Sequence, residues 1–291
     1  MSNLSHLSIV VPVGEMAGRL TNLYNWIEEI KPHKPKIILV TSTLFEDTAI
    51  EVTTIIQSRG LLDSCQIVTG EFSNPGDSRN KGFECVETDW VTFWDSDDLP
   101  KIENVVNIMT SSLIESEDFI IASYEIQDAV SKEVELKING NDELENLVSV
   151  ALNPGLWRWF LRSDQITGNR FPSTSMGEDQ VFLVETEFWK KRVKFIELVS
   201  YRYLKNQGNQ LTNNPTAIED LRYSAAKIYA RRREPSEIFP EIVGCRMILT
   251  MIKKGKVKSK LFGLRCLLRL IYQIGLAPVM NSLATIYRKR N

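Results

Sequence analysis

Across the first 125 residues, short apolar runs alternate with segments of helical periodicity: "HLSIVVPV", then 17–31, "PKIILV", 47–59, "CQIVTG", 77–87 and "WVTFWD". This βαβαβαβ order constrains the fold more than any other feature. Near-continuous apolar strands separated by helices predict an α/β architecture, a Rossmann-like and mostly parallel sheet covered by helices on both faces. Ligands of such sheets collect at the C-terminal ends of the strands. With 43% hydrophobic residues, the 291-residue chain buries a substantial core, as one large domain or a domain with an appendage.

The segment "FWDSDDLPK", 93–101, places Asp95, Asp97 and Asp98 at one of those strand ends. Two readings are open. The carboxylates cap the helix expected near Lys101, or they repel one another until a divalent cation relieves the repulsion. Their position at the ligand edge favours the cation.

Beyond residue 126 the repeat stops. "DFIIASYEI", the charged "KEVELKI", a helix near 141–151 and "NPGLWRWFLRSD" read as α+β. From "TNNPT" at 212–216 the pattern turns helical, with segments near 216–233, 237–254, 257–274 and 278–289, broken at Pro235, Gly255 and Gly275–Pro278. The expected domains are therefore 1–212 and a helical C-terminal region, 213–291.

Charge divides at the same place. Residues 1–212 hold 19 Lys+Arg against 32 Asp+Glu, a net −13; residues 213–291 hold 16 against 5, a net +11. From Ile242 onward there are eleven basic residues and no acidic one. Lys254, Lys258, Arg265 and Arg269 fall on one helical stripe and Leu261, Leu264, Leu268 and Ile271 on another, the pattern of a helix lying on an anionic membrane surface. The alternative is an apolar stripe packed on the rest of the chain. No aromatic-interleaved basic groove is present, so nucleic acid is not expected as a partner.

Four cysteines without a close pair fit a reducing compartment and exclude a CxxC zinc site. "MSNLSHLSIVVPV" has no basic n-region, and no run of 18 apolar residues occurs, so a cytoplasmic protein is expected, with the basic tail bringing it to the inner face of the cytoplasmic membrane.

Taken together, "SIVVPV", "NPGDSRNKGFECVETDWVTFWDSDD", "GLWRWFLRSD" and "GEDQVF", in that order over about residues 7–212, resemble the inverting family 2 glycosyltransferases of the GT-A fold. The resemblance implies transfer of a sugar from a nucleotide-diphosphate sugar, a UDP-sugar by expectation, to a hydroxyl of a bacterial surface glycan such as lipopolysaccharide or capsule, or of a lipid-linked glycan. It implies Mn²⁺ or Mg²⁺ as cofactor, with Asp97 as principal ligand and Asp95 facing the ribose or sharing the metal, while Asp98 supports the loop. Pro12, Val13, Glu15, Thr41, Arg79, Lys81, Asp95 and Ser96 would line the nucleotide. Asp179 would be the base, with Glu178 beside it, although both also suit ordinary capping of a helix. Trp157 and Trp159 are expected on one acceptor-side strand, one flooring a sugar and the other packing inward. Arg79 and Lys81 also suit a solvated helix face.

Three departures stand against the family pattern. "LVTSTLFED" replaces the usual paired Asp and Gly-Ser of the second strand. Gly14 and Glu15 replace Tyr-Asn after "VPV". Asn206 occupies the place of a frequent His. Two rival classes follow from the residues: a non-catalytic sugar- or nucleotide-binding module, and a nucleotidyltransferase, for which "VGEMAGR" is a poor phosphate loop.

Overall fold

Strand β1 (Leu7–Val13) is buried except at Pro12, which is half-buried, and it forms the spine of the sheet. In this computed structural model, which describes residues 2–207, 215–230 and 237–288, the chain continues through α1 (Thr21–Ile30), β2 (Lys36–Ser42), α2 (Glu46–Ser58), β3 (Cys65–Gly70), α3 (Pro75–Phe83) and β4 (Trp90–Phe93). β1 pairs in parallel with both β2 and β4, and β2 with β3. The spatial order is β3-β2-β1-β4. Progression therefore reverses at β1, and the crevice beyond the ends of β1 and β4 is the switch point where such sheets bind ligands.

The helices bury the faces that their spacing predicts. On α1, Leu23, Trp26, Ile27 and Ile30 turn inward at i, i+3, i+4 and i+7. Each fully buried Leu or Ile contributes about 1.5–3 kcal/mol. Helix α3 starts where "NPGD" directs it: the Asn74 side chain accepts from the Asp77 N–H at 2.9 Å, and Pro75 occupies the first turn. Gly82 seats this helix on the sheet, since a Cβ there would lie 2.4 Å from Val10 Cγ1 and 2.9 Å from Val40 Cγ2.

After β4 come β5 (Leu99–Pro100), α4 (Ile102–Met109), α5 (Leu113–Ser116), β6 (Phe119–Asp128), β7 (Val134–Lys137), α6 (Glu143–Leu152), β8 (Trp159–Arg162), α7 (Glu178–Thr186) and β9 (Val193–Lys205). Here the sheet is mixed rather than parallel. β8 inserts antiparallel between β4 and β6, β9 runs parallel to β6, and β5 is antiparallel to β9.

Two compact units emerge from the packing. The first comprises 1–141, 156–171 and 190–208, and the second 142–155, 172–189 and 209–291. The division expected at 212/213 falls outside the described residues, as does the break at Pro235. The second unit contains α8 (Pro215–Ala230), α9 (Ile238–Lys254), α10 (Val257–Ile274) and α11 (Leu276–Arg288). α9 is its centre: Phe239, Ile242, Val243, Met247, Ile248 and Met251 are buried, and α6, α8, α10 and α11 all pack on it. Arg246 donates to the Leu152 carbonyl at the end of α6. The expected break over Gly275–Pro278 narrows to Gly275, because Pro278 lies in the first turn of α11, where a missing N–H costs nothing. The expected single basic stripe is also interrupted, since Lys254 ends α9 and Lys258 lies in the first turn of a new helix beyond Gly255.

Candidate functional site

Phe93 and Trp94 are buried, and the Trp94 N–H still donates to the Val10 carbonyl at 3.0 Å. One residue later the chain leaves the sheet and presents Asp95, Ser96, Asp97 and Asp98. Asp95 and Asp97 are half-buried, Ser96 and Asp98 buried. Burial, with Asp95 beside it, pushes the Asp97 carboxyl up to about 6, partly offset by Arg19. Asp98 is raised well above the usual carboxylate range, first by burial and then by Asp95 and Asp97. Burial first, and the crowding inferred from the sequence second, thus raise both carboxyls.

The far end of the first unit's sheet holds this loop in place. Asp98 Oδ1 accepts from the Leu204 N–H at 2.8 Å, the Asp97 carbonyl accepts from Gln207 Nε2 at 3.2 Å, and the Asp95 N–H donates to the Tyr201 hydroxyl at 3.1 Å. Asp98 therefore serves the loop, as expected for it. Asn206, at the place of the family's His, donates to Asp128 Oδ2 at 2.7 Å.

Helix α3 supplies the opposite wall. Arg79 turns inward, 7% exposed, and Nη2 donates to Asp95 Oδ1 at 2.9 Å. Asn80 clamps the backbone of Phe171 with two hydrogen bonds of 2.8 and 2.9 Å. Lys81 is exposed and pairs with Glu84 at 3.0 Å, the solvated-face arrangement.

At the end of β1, Val13 is buried and Glu15 exposed. The Glu15 carbonyl accepts from Arg19. Arg19 is a further cation near the acidic loop that sequence reading did not single out. At the end of β2, Thr41 is buried and its hydroxyl is bonded to that of Thr69 at 2.9 Å, while Ser42 bonds the backbone of Phe72.

Mn²⁺ or Mg²⁺ fits this donor set. Asp98 is buried and its Oδ1 accepts from Leu204, whereas Asp97 and Asp95, the latter with Oδ1 on Arg79, are half-buried hard oxygen donors under mutual repulsion. Among the described residues no group of three His, Cys, Asp or Glu side chains forms a ready-made cage. Such ions are commonly held through one or two carboxylates, with phosphate oxygens and water completing the shell.

The two tryptophans do not share a strand. Leu156–Arg158 is a 3₁₀ turn following Pro154-Gly155, and β8 starts only at Trp159. Trp159 is 0% exposed, the inward-packing member. Trp157 is half-buried and stacks on Tyr201, 4.8 Å between centroids and 14° between planes, and on Tyr203 at 5.8 Å and 4°. Any surface it offers a sugar is what that stack leaves uncovered.

Glu178 and Asp179 lie in the second unit. They occupy the first turn of α7, entered through Gly177 at φ +81°, and acidic residues are favoured there by the helix dipole. Glu178 is buried and Asp179 half-buried. The Ser224 hydroxyl of α8 donates to the Met176 carbonyl at 2.8 Å. A Cβ on Gly177 would meet Leu221 and Ser224 of α8 at 3.0 Å and Met247 of α9 at 3.1 Å. The C-terminal helices thus wall in the "GED" turn.

Residues 8–136 match the family model described as "Glycosyltransferase like family 2". No curated protein sequence matches the chain. Among solved structures, the chain is similar to S. aureus TarS 1-349 in complex with UDP-GlcNAc, with a TM-score of 0.65 at 15% identity, covering 90% of this chain and 79% of that one. It is also similar to the mannosyltransferase PcManGT from Pyrobaculum calidifontis in complex with GDP-Man and Mn²⁺, with a TM-score of 0.60 at 12% identity, covering 96% and 79%. The chain's architecture, a β3-β2-β1-β4 parallel half with an acidic loop after β4 and a mixed second half, matches at the level of fold the GT-A glycosyltransferase structures.

Proposed function

We propose that the protein is an inverting hexosyltransferase that takes a sugar from a nucleotide-diphosphate donor, a UDP-sugar in our reading, and places it on a hydroxyl of a bacterial surface or lipid-linked glycan. The observation that carries this reading is the half-buried pair Asp95 and Asp97 at the β1/β4 switch point, one of them held by Arg79. UDP-GlcNAc and GDP-Man bound to the two similar structures support a nucleotide-sugar donor.

In this reading Asp97, with Asp95, would hold Mn²⁺ or Mg²⁺, which would supply charge neutralisation for the departing diphosphate. Arg79 orients Asp95. Asp179 accepts the proton of the acceptor hydroxyl as its oxygen attacks the anomeric carbon from the face opposite the leaving group, which inverts that centre. Glu178 supports the turn that carries Asp179. A lipid-linked acceptor would place the reaction at a membrane surface.

The test is incubation with a panel of nucleotide sugars, following nucleotide release with divalent metal and with chelator. Metal-dependent release from one or a few donors is expected. Release from none, alongside metal-dependent nucleotide binding, would favour the non-catalytic module; pyrophosphate formation from a nucleoside triphosphate would favour a nucleotidyltransferase.

A further inference from the structure

Helix α10 carries apolar side chains on its outer face although its inner face is already buried. The inner face, Ser259, Gly263, Cys266 and Leu270, is buried. The outer strip is not. Val257 is 71% exposed, Leu261 55%, Leu264 47%, Leu268 67% and Tyr272 91%. At about 100° per residue these five side chains fall within an arc of about 80°. Ile271, expected from the sequence in this strip, is half-buried instead, and Val257 and Tyr272 extend it. A helix facing only water would carry polar residues there.

The cations flank that strip. Lys258, Arg265 and Arg269 lie along one border and Lys260 along the other, all exposed. α11 shows the same mixture, with Leu276, Met280 and Tyr287 exposed and Arg288 beside them. We infer that the outer face of α10 docks on an anionic bilayer, with Val257, Leu261, Leu264, Leu268 and Tyr272 entering the headgroup layer and the flanking cations meeting lipid phosphates. Charge decides among the occupants. A second copy packed through the same strip would set Lys258, Arg265 and Arg269 against their equivalents, with no carboxylate after residue 241 to separate them. The inference deepens the lipid-linked acceptor reading without depending on its chemistry, because vesicle binding is measured with no sugar transfer.

The experiment is co-sedimentation of the full chain with vesicles of phosphatidylcholine alone or with about one quarter phosphatidylglycerol, at about 0.05 M and about 0.5 M salt. Binding to the anionic vesicles at low salt is expected, roughly tenfold or more above pure phosphatidylcholine and several-fold weaker at high salt. The combined Leu261→Ser, Leu264→Ser and Leu268→Ser variant should lose roughly tenfold or more at either salt. The combined Lys258→Gln, Arg265→Gln and Arg269→Gln variant should lose the preference for anionic lipid. All six positions are exposed, so circular dichroism and the thermal midpoint should match wild type. In a Tyr272→Trp variant, emission should shift to the blue on addition of anionic vesicles. The inference is overturned if wild type fails to sediment at low salt, if the leucine variant sediments like wild type, or if light scattering finds a dimer that the leucine variant dissociates.

Discussion

The two acidic motifs of this chain are built in opposite ways. Asp95, Asp97 and Asp98 crowd a loop at the end of a strand, and the loop is held by groups about a hundred residues away: Tyr201, Leu204 and Gln207. Glu178 and Asp179 begin a helix, and the turn before them is held by neighbouring helices through Leu221, Ser224 and Met247. One motif concentrates charge and so suits a cation; the other carries a half-buried carboxylate at a helix start and so suits proton transfer. The difference teaches that a carboxylate's use is set by what fixes its backbone and by how many charges share the space.

The comparison is sharpened most by separating chemistry from binding. Asp179→Asn should lower transfer roughly 10²–10⁴-fold while leaving metal-dependent nucleotide affinity within about twofold. Glu178→Gln should be milder. Turnover assays alongside calorimetry check this, and near wild-type turnover in Asp179→Asn removes it as the base. Asp97→Ala should do the reverse, weakening nucleoside diphosphate binding in the presence of Mn²⁺ by roughly two orders of magnitude. Equal wild-type affinity with metal and with chelator would break the distinction between the motifs.

Smaller effects belong to the supports. Asp98→Ala leaves the Leu204 N–H without its acceptor and should destabilise the fold by about 1–3 kcal/mol in urea titration. Gly177→Ala forces a Cβ into a left-handed position and against α8, for a loss of about 1–2 kcal/mol. Asp118, outside both motifs, is the control. Hydrogen bonding to Arg192 holds its carboxyl below the usual carboxylate range. Its contribution is fully present above the unfolded value, about 3.9, and is lost as pH falls through the folded value. The urea-midpoint difference between wild type and Asp118→Asn should therefore shrink on acidification below about pH 4, and an unchanged difference would contradict the pairing.

Much of the first unit could be read directly. "SIVV" and "IILV" are buried on both sides, so their apolar runs announce a parallel sheet, and Asp95 follows from where such a strand must end. β9 could not be read in this way. Its thirteen residues pair with β6 through two register shifts, and "VKFIELVSYRYLK" shows neither a continuous apolar run nor clean alternation. Its contacts to the acidic loop are long-range, and no local pattern encodes them. Arg19 escaped because a lone exposed Arg resembles any other surface cation. Trp157 reads as part of a strand because apolar content in "LWRWFL" hides the 3₁₀ turn that Pro154-Gly155 introduces.

The interleaving of the two units also sets a timetable. Strands β1 to β4 can pair once residue 93 has left the ribosome, well before most of the chain exists. Helix α7 is delivered ahead of α8 and α9, the helices that enclose its first turn, so a nascent chain carries Glu178 and Asp179 on an unfinished support until residue 254 is made. α6 waits equally long for α9. Chains interrupted before α9 would thus leave the first turn of α7 without the helices that enclose it, and removal of the C-terminal helices would repeat that immature state.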